Sequence, residues 1–123
     1  MNPEAIHNEA HEAGLKAGNE TYVRPMVVTQ RENPFDRNSK IVYQETVADG
    51  VCGFAWIKIK PARGKFVAWL KSQNIGDTSY SGGYDIWVSH FNQSFTRKEE
   101  YARAYAHVLG KHGITAIPQS RLD

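Results

Sequence analysis

The chain predicts an α+β fold: a single domain over residues 1–123, with a mixed or mostly antiparallel sheet of about five strands and three helices. Two observations carry that expectation. Apolar and other residues alternate along 51–60 at a strand's period of two. Apolar residues then recur at helical spacing in 62–73 and again in 97–112, with short links between the elements. The expected order is α-β-β-β-α-β-α-β.

Residues 3–19 read as a helix. Asn2 is placed to cap it, Pro3 suits a first turn, and Glu4 lies at the positive end of the helix dipole. Its apolar residues (Ile6, Ala10, Ala13, Leu15, Ala17) are few and small, and Gly14 and Gly18 weaken it. Such a helix needs a partner surface, so 1–20 is expected to attach loosely or to pack across a homodimer.

Residues 21–29 are rich in β-branched side chains but contain Pro25, which confines them to an edge or delays the strand until after the proline. Residues 30–40 form a loop by composition, with Phe35 expected to pin it to the body. In 41–47 the alternation has weak face preference: Ile41, Tyr43, Glu45 and Val47 oppose Val42, Gln44 and Thr46. Asp49-Gly50 then predicts a hairpin into the next strand.

That next strand is better specified. Val51, Ala55, Ile57 and Ile59 make an apolar face. Cys52, Phe54, Trp56, Lys58 and Lys60 make the other, aromatic at its start and basic at its end. Pro61 closes the strand. In 62–73, Ala62, Phe66, Trp69, Leu70 and Gln73 share one helix side, with Val67 at its border. Residues 77–83 are a flexible loop. Residues 84–91 form a strand with Ile86 and Val88 opposite Asp85, Trp87 and Ser89. Thr96 and Glu99 have capping-box spacing. The helix that follows carries a stripe of Tyr101, Tyr105, Val108 and Leu109, and Gly113 is its expected cap. A short strand over 114–117 is closed by Pro118, leaving QSRLD as a tail.

Net charge is +2, too small to imply a nucleic-acid partner by itself. The distribution is uneven, however: Lys58, Lys60, Arg63, Lys65 and Lys71 cluster in 56–76 with no acid among them. No apolar run approaches the roughly 20 residues of a membrane span, and the N-terminus has no signal-peptide core. The single cysteine excludes an internal disulfide and fits a reducing compartment. The expected location is therefore the cytoplasm, with no membrane partner.

Three stretches, CGFAWIKIKPARGKFVAWLK (52–71), GGYDIWVSHFNQSFTRKEEYARAYAHVLGKHGITA (82–116) and the ending SRLD (120–123), resemble a family of small tailed-bacteriophage proteins, with a weaker echo at RPMVV (24–28). No activity and no catalytic residues are established for that family. The resemblance implies a phage origin and an intracellular or virion setting, the host cytoplasm being the cytoplasmic case.

No catalytic constellation, metal site or cofactor motif is evident. His7 and His11 share a helix face, but HNEAH is not the zincin pattern, and they read as an adventitious exposed pair. Cys52 reads as a small buried hydrophobe rather than as a nucleophile paired with His90. Gly82-Gly83 precedes a strand, so it is a turn and not a phosphate loop. A helix start near Gln93, Ser94 and Thr96, beside Arg97 and Lys98, has the groups to hold an anion, but ordinary capping by Thr96 is the favoured reading.

Three functions stay open. The first is a non-enzymatic phage accessory protein that binds a host or phage macromolecule, foremost a host protein, through an exposed patch with Trp56 or Trp87. The second is nucleic-acid binding through Phe54, Trp56, Lys58 and Lys60, extended by Arg63, Lys65 and Lys71 and by Trp87, Arg97 and Lys98. It turns on whether Phe54 and Trp56 stack bases or lie under a helix. The third is a small ligand-binding domain or enzyme around 80–97, in which Tyr80, Asp85, His90 and Arg97 would converge.

Overall fold

The computed structural model describes residues 2–123. It contains three helices and six strands: α1 (Pro3–Glu20), β1 (Met26–Arg31), β2 (Ile41–Val47), β3 (Gly53–Ile59), α2 (Lys65–Ser72), β4 (Asp77–Thr78), β5 (Tyr84–Trp87), α3 (Phe95–Lys111) and β6 (Ala116–Leu122). The class is α+β, with every strand pair antiparallel. The extra strand is the two-residue β4. The strands do not form one sheet, however. β1 and β2 pair only with each other, and the remaining four run in the order β4-β5-β3-β6.

β3 is central because its alternation gives it a face worth burying. Ala55, Ile57 and Ile59 are sealed beneath the helices, where they meet Leu70 of α2 and Tyr105 and Leu109 of α3 in one core. β5 adds Tyr84 and Ile86 to the same side. On α3 the expected stripe of Tyr101, Tyr105, Val108 and Leu109 is buried, and Gly113 takes the left-handed conformation (φ 78°) that ends the helix.

α1 finds its partner surface within the chain. Ile6, Ala10, Gly14 and Gly18 recur every fourth residue and face α3 and the segment before it. The glycines weaken the helix intrinsically, but they admit aromatic rings. A Cβ at Gly14 would lie 2.6 Å from Cδ2 of Tyr101, and one at Gly18 would collide with Phe91. Arg97 clamps the end of α1, its Nη1 donating to the carbonyls of Gly18 (2.7 Å) and Asn19 (3.2 Å).

Several local expectations are corrected. Asp49-Gly50 makes no hairpin between β2 and β3; β2 turns back on β1, with Met26 opposite Val47 and Thr29 opposite Gln44. The weak faces of β2 have little apolar surface to bury, whereas those of β3 do. Phe35 pins nothing and is 97% exposed at the end of the ribbon. Ser94, not Thr96, caps α3, its Oγ accepting from the Arg97 amide (3.4 Å). α2 starts three residues late, at Lys65, and Val67 is core rather than border. Cys52 is exposed. The strand over 114–117 does not stop at Pro118. It continues through Arg121 to Leu122 as β6, with Pro118 opposite Ile57. A proline is tolerated there because β6 is an edge strand and need not donate outward.

Candidate functional site

The four-stranded sheet packs its helices on one face and leaves the other open. Register sets what that open face carries. Phe54, Trp56 and Lys58 of β3 lie beside Trp87 and Asp85 of β5 on one flank and Arg121, Gln119 and Ile117 of β6 on the other. No helix covers Trp56. It stacks on Trp87 with ring centroids 4.5 Å apart and planes 28° apart, and its indole N–H donates to Gln119 Oε1 at 2.9 Å. Trp87 is 44% exposed.

The basic half of the expected platform behaves differently. Lys58 is 5% exposed. Its Nζ donates to Ser79 Oγ (2.7 Å), Ser81 Oγ (3.0 Å) and the Gly82 carbonyl (2.6 Å), and lies 3.3 Å from Asp85 Oδ1. It holds the β4–β5 loop and has no donor left for a phosphate. Lys98 is likewise buried, its Nζ 5.8 Å from the Phe54 ring centroid, with the Arg121 guanidinium 5.2 Å from that centroid. Arg97 serves the clamp on α1 and pairs with Asp49 at 3.5 Å. Lys71 ends α2, where its charge favours the helix dipole. Lys60, Arg63 and Lys65 are exposed around a separate cleft of about 250 Å³ before α2. Phe54, Trp56 and Trp87 are thus brought together, and the free cations are not among them.

The open face leads into a cleft of about 360 Å³ between the tryptophans, Asp85, the 77–81 loop and Arg121. Arg121 was hidden in the expected tail; continued alternation of Ile117, Gln119 and Arg121 past Pro118 was the available signal. Asp85 and His90 do not converge. Asp85 lines this cleft, whereas His90 stacks on Tyr101 of α3, on the helix side. The acid–base pair of the third function is absent.

His7 and His11 are not an exposed pair. Their Nδ1 atoms share hydrogen bonds with the hydroxyls of Tyr105 (2.7 Å) and Tyr101 (2.6 Å), and His11 meets His90 with ring centroids 5.0 Å apart. Burial holds both imidazoles below their usual range, with His11 adding to the effect on His7 and His90 to that on His11. Burial likewise pushes the hydroxyls of Tyr101 and Tyr105 well above the usual phenol range. Among the described residues no group of His, Cys, Asp or Glu is arranged to hold a metal ion, and no helix is long and apolar enough to cross a membrane.

The second surface that stands apart is the β1–β2 ribbon. Val27, Val28, Ile41, Val42 and Tyr43 are between 41% and 54% exposed, and almost no residue of either strand is shielded. Its base is fixed: Ser94 Oγ donates to the Asp49 carbonyl at 3.0 Å, and Gly50 (φ 73°) fits tightly against Val23 and the Arg24 carbonyl.

The chain matches no family model, no curated protein and no solved structure.

Proposed function

We propose that the chain is a non-enzymatic accessory protein of a tailed phage, working in the host cytoplasm, that binds a host protein through the β1–β2 ribbon. One observation carries the reading. A two-stranded ribbon is marginal in water on its own, yet this one has both edges open and its apolar side chains uncovered on either face. Open edges offer backbone N–H and C=O groups to an extended polypeptide, and flanking valines and Tyr43 supply apolar contact. The phage setting rests on the resemblance of 52–71, 82–116 and 120–123 alone.

The test is a pull-down from nuclease-treated bacterial lysate with the full chain and with a variant whose residues 26–47 are replaced by a short Gly-Ser linker. The expected result is a polypeptide retained by the full chain and lost with the ribbon. Equal capture by both proteins, or none by either, overturns the reading.

A second reading, nucleic-acid binding, is favoured by Lys60, Arg63 and Lys65, which flank one cleft and make no ion pair among the described residues. It predicts capture that nuclease abolishes and that falls steeply with salt.

A further inference from the structure

We propose that the cleft between Trp87 and the 77–81 loop is a saccharide-binding site that stacks a neutral pyranose ring on the exposed indole. The floor is aromatic and fixed. Trp56 is held by Gln119 and by its stack on Trp87, and Trp87, nearly half exposed, lines the cleft. An indole face carries negative quadrupolar charge, which suits the weakly positive C–H bonds on one face of a pyranose. Tyr80 stands fully exposed in the facing loop.

The wall is built rather than incidental. A buried lysine ties Ser79, Ser81 and Gly82 together from below, so the loop presents its hydroxyls in one arrangement before any ligand arrives. Asp85, with 9% of its side chain exposed, lines the same cleft, and its Oδ1 accepts no hydrogen bond.

Charge selects the ligand class. Lys58 balances Asp85, and the lining adds one further carboxylate, Asp77, and one guanidinium, Arg121, with no ion pair between them. An anion would find one available guanidinium opposed by a carboxylate. A cation would find one carboxylate opposed by the guanidinium. A neutral ring with several hydroxyls meets donors and acceptors on the walls and an apolar floor, the usual make-up of a small-ligand pocket. A nucleotide's phosphates would meet only Arg121, because the donors of Lys58 are already engaged.

The test is a screen of the full chain against an array of neutral hexose and N-acetylhexosamine oligosaccharides, with hits followed by ¹⁵N NMR of the indole N–H groups. The expected result is saturable binding that shifts the Trp56 and Trp87 resonances and leaves Trp69, in α2, unmoved. Trp87→Ala should keep the folded circular dichroism with a Tm lowered by the lost stack on Trp56, and should bind about tenfold or more weakly. Tyr80→Ala, at an exposed loop position, should keep the fold and also weaken binding. Raising salt from about 50 to about 500 mM should leave the affinity within about twofold. No binding across the array, binding unchanged in Trp87→Ala, or adenosine monophosphate binding in the cleft with steep salt dependence overturns the proposal.

Discussion

β2 and β3 are strands of equal length, seven residues each, that meet opposite fates. β3 puts Ala55, Ile57 and Ile59 into the core that it shares with α2 and α3, and each large aliphatic side chain sealed there contributes about 1.5–3 kcal/mol. β2 has no face of that kind. It pairs with β1 alone, and Ile41, Val42 and Tyr43 stay in water. The helix-covered sheet therefore carries the stability of the chain, while the ribbon hangs from a stapled base and contributes little of its own. Surface left uncovered by the first sheet on its far side, and by the second on both, is what remains for recognition.

The largest effect should come from beneath the body's open face. Lys58→Ala leaves Asp85 buried without its counter-charge and should cost about 3–5 kcal/mol, read as a lowered midpoint in urea. Replacing both partners by apolar residues of similar volume should recover most of that loss. Leu109→Ala, in the fully buried stripe of α3, should cost about 2–5 kcal/mol. Gly14→Val pushes methyl groups into the Tyr101 ring and should cost about 1–3 kcal/mol through overpacking, despite removing a helical glycine.

A smaller effect should follow pH. His7 and His11 are harder to protonate in the folded chain than in the unfolded one. Their contribution is complete above the ordinary imidazole value of about 6.5. As pH falls through that value the unfolded chain takes up protons first, and stability drops until the lowered folded values are passed. Thermal unfolding between pH 8 and pH 5 should show this decline, and a His7→Gln/His11→Gln variant should flatten it. The smallest effect belongs to the ribbon: Val27→Thr should change stability by no more than about 0.5 kcal/mol. A loss comparable with that at Leu109 would erase the contrast between the two sheets.

The local parts of this contrast were legible in the sequence, and the pairings were not. Periodicity alone identified the core faces of β3 and α3, because Ile57, Ile59, Tyr105 and Leu109 declare their burial through spacing. Asn2 and Gly113 declared helix ends through backbone chemistry. The partner of β2 is a non-local choice, and Asp49-Gly50 specifies a turn without saying which strand follows it into a sheet. β6 was obscured by Pro118, whose cost depends on lying at an edge. Gly14 and Gly18 looked like weaknesses because the rings they accommodate are Tyr101 and Phe91, more than 70 residues away in sequence. At the site, the stacking of Trp56 and Trp87 follows from register. Lys58 was misplaced because its ligands, Ser79, Ser81 and Gly82, arrive from a loop that the sequence presents only as flexible.

Native-state amide hydrogen exchange tests the division most directly. The cross-strand-bonded amides of Met26–Arg31 and Ile41–Val47 should exchange by local opening, at least about a hundredfold faster than those of β3, which wait for global unfolding. Ribbon amides protected as strongly as that of Ile57 would show that the two sheets unfold as one unit and would contradict the account.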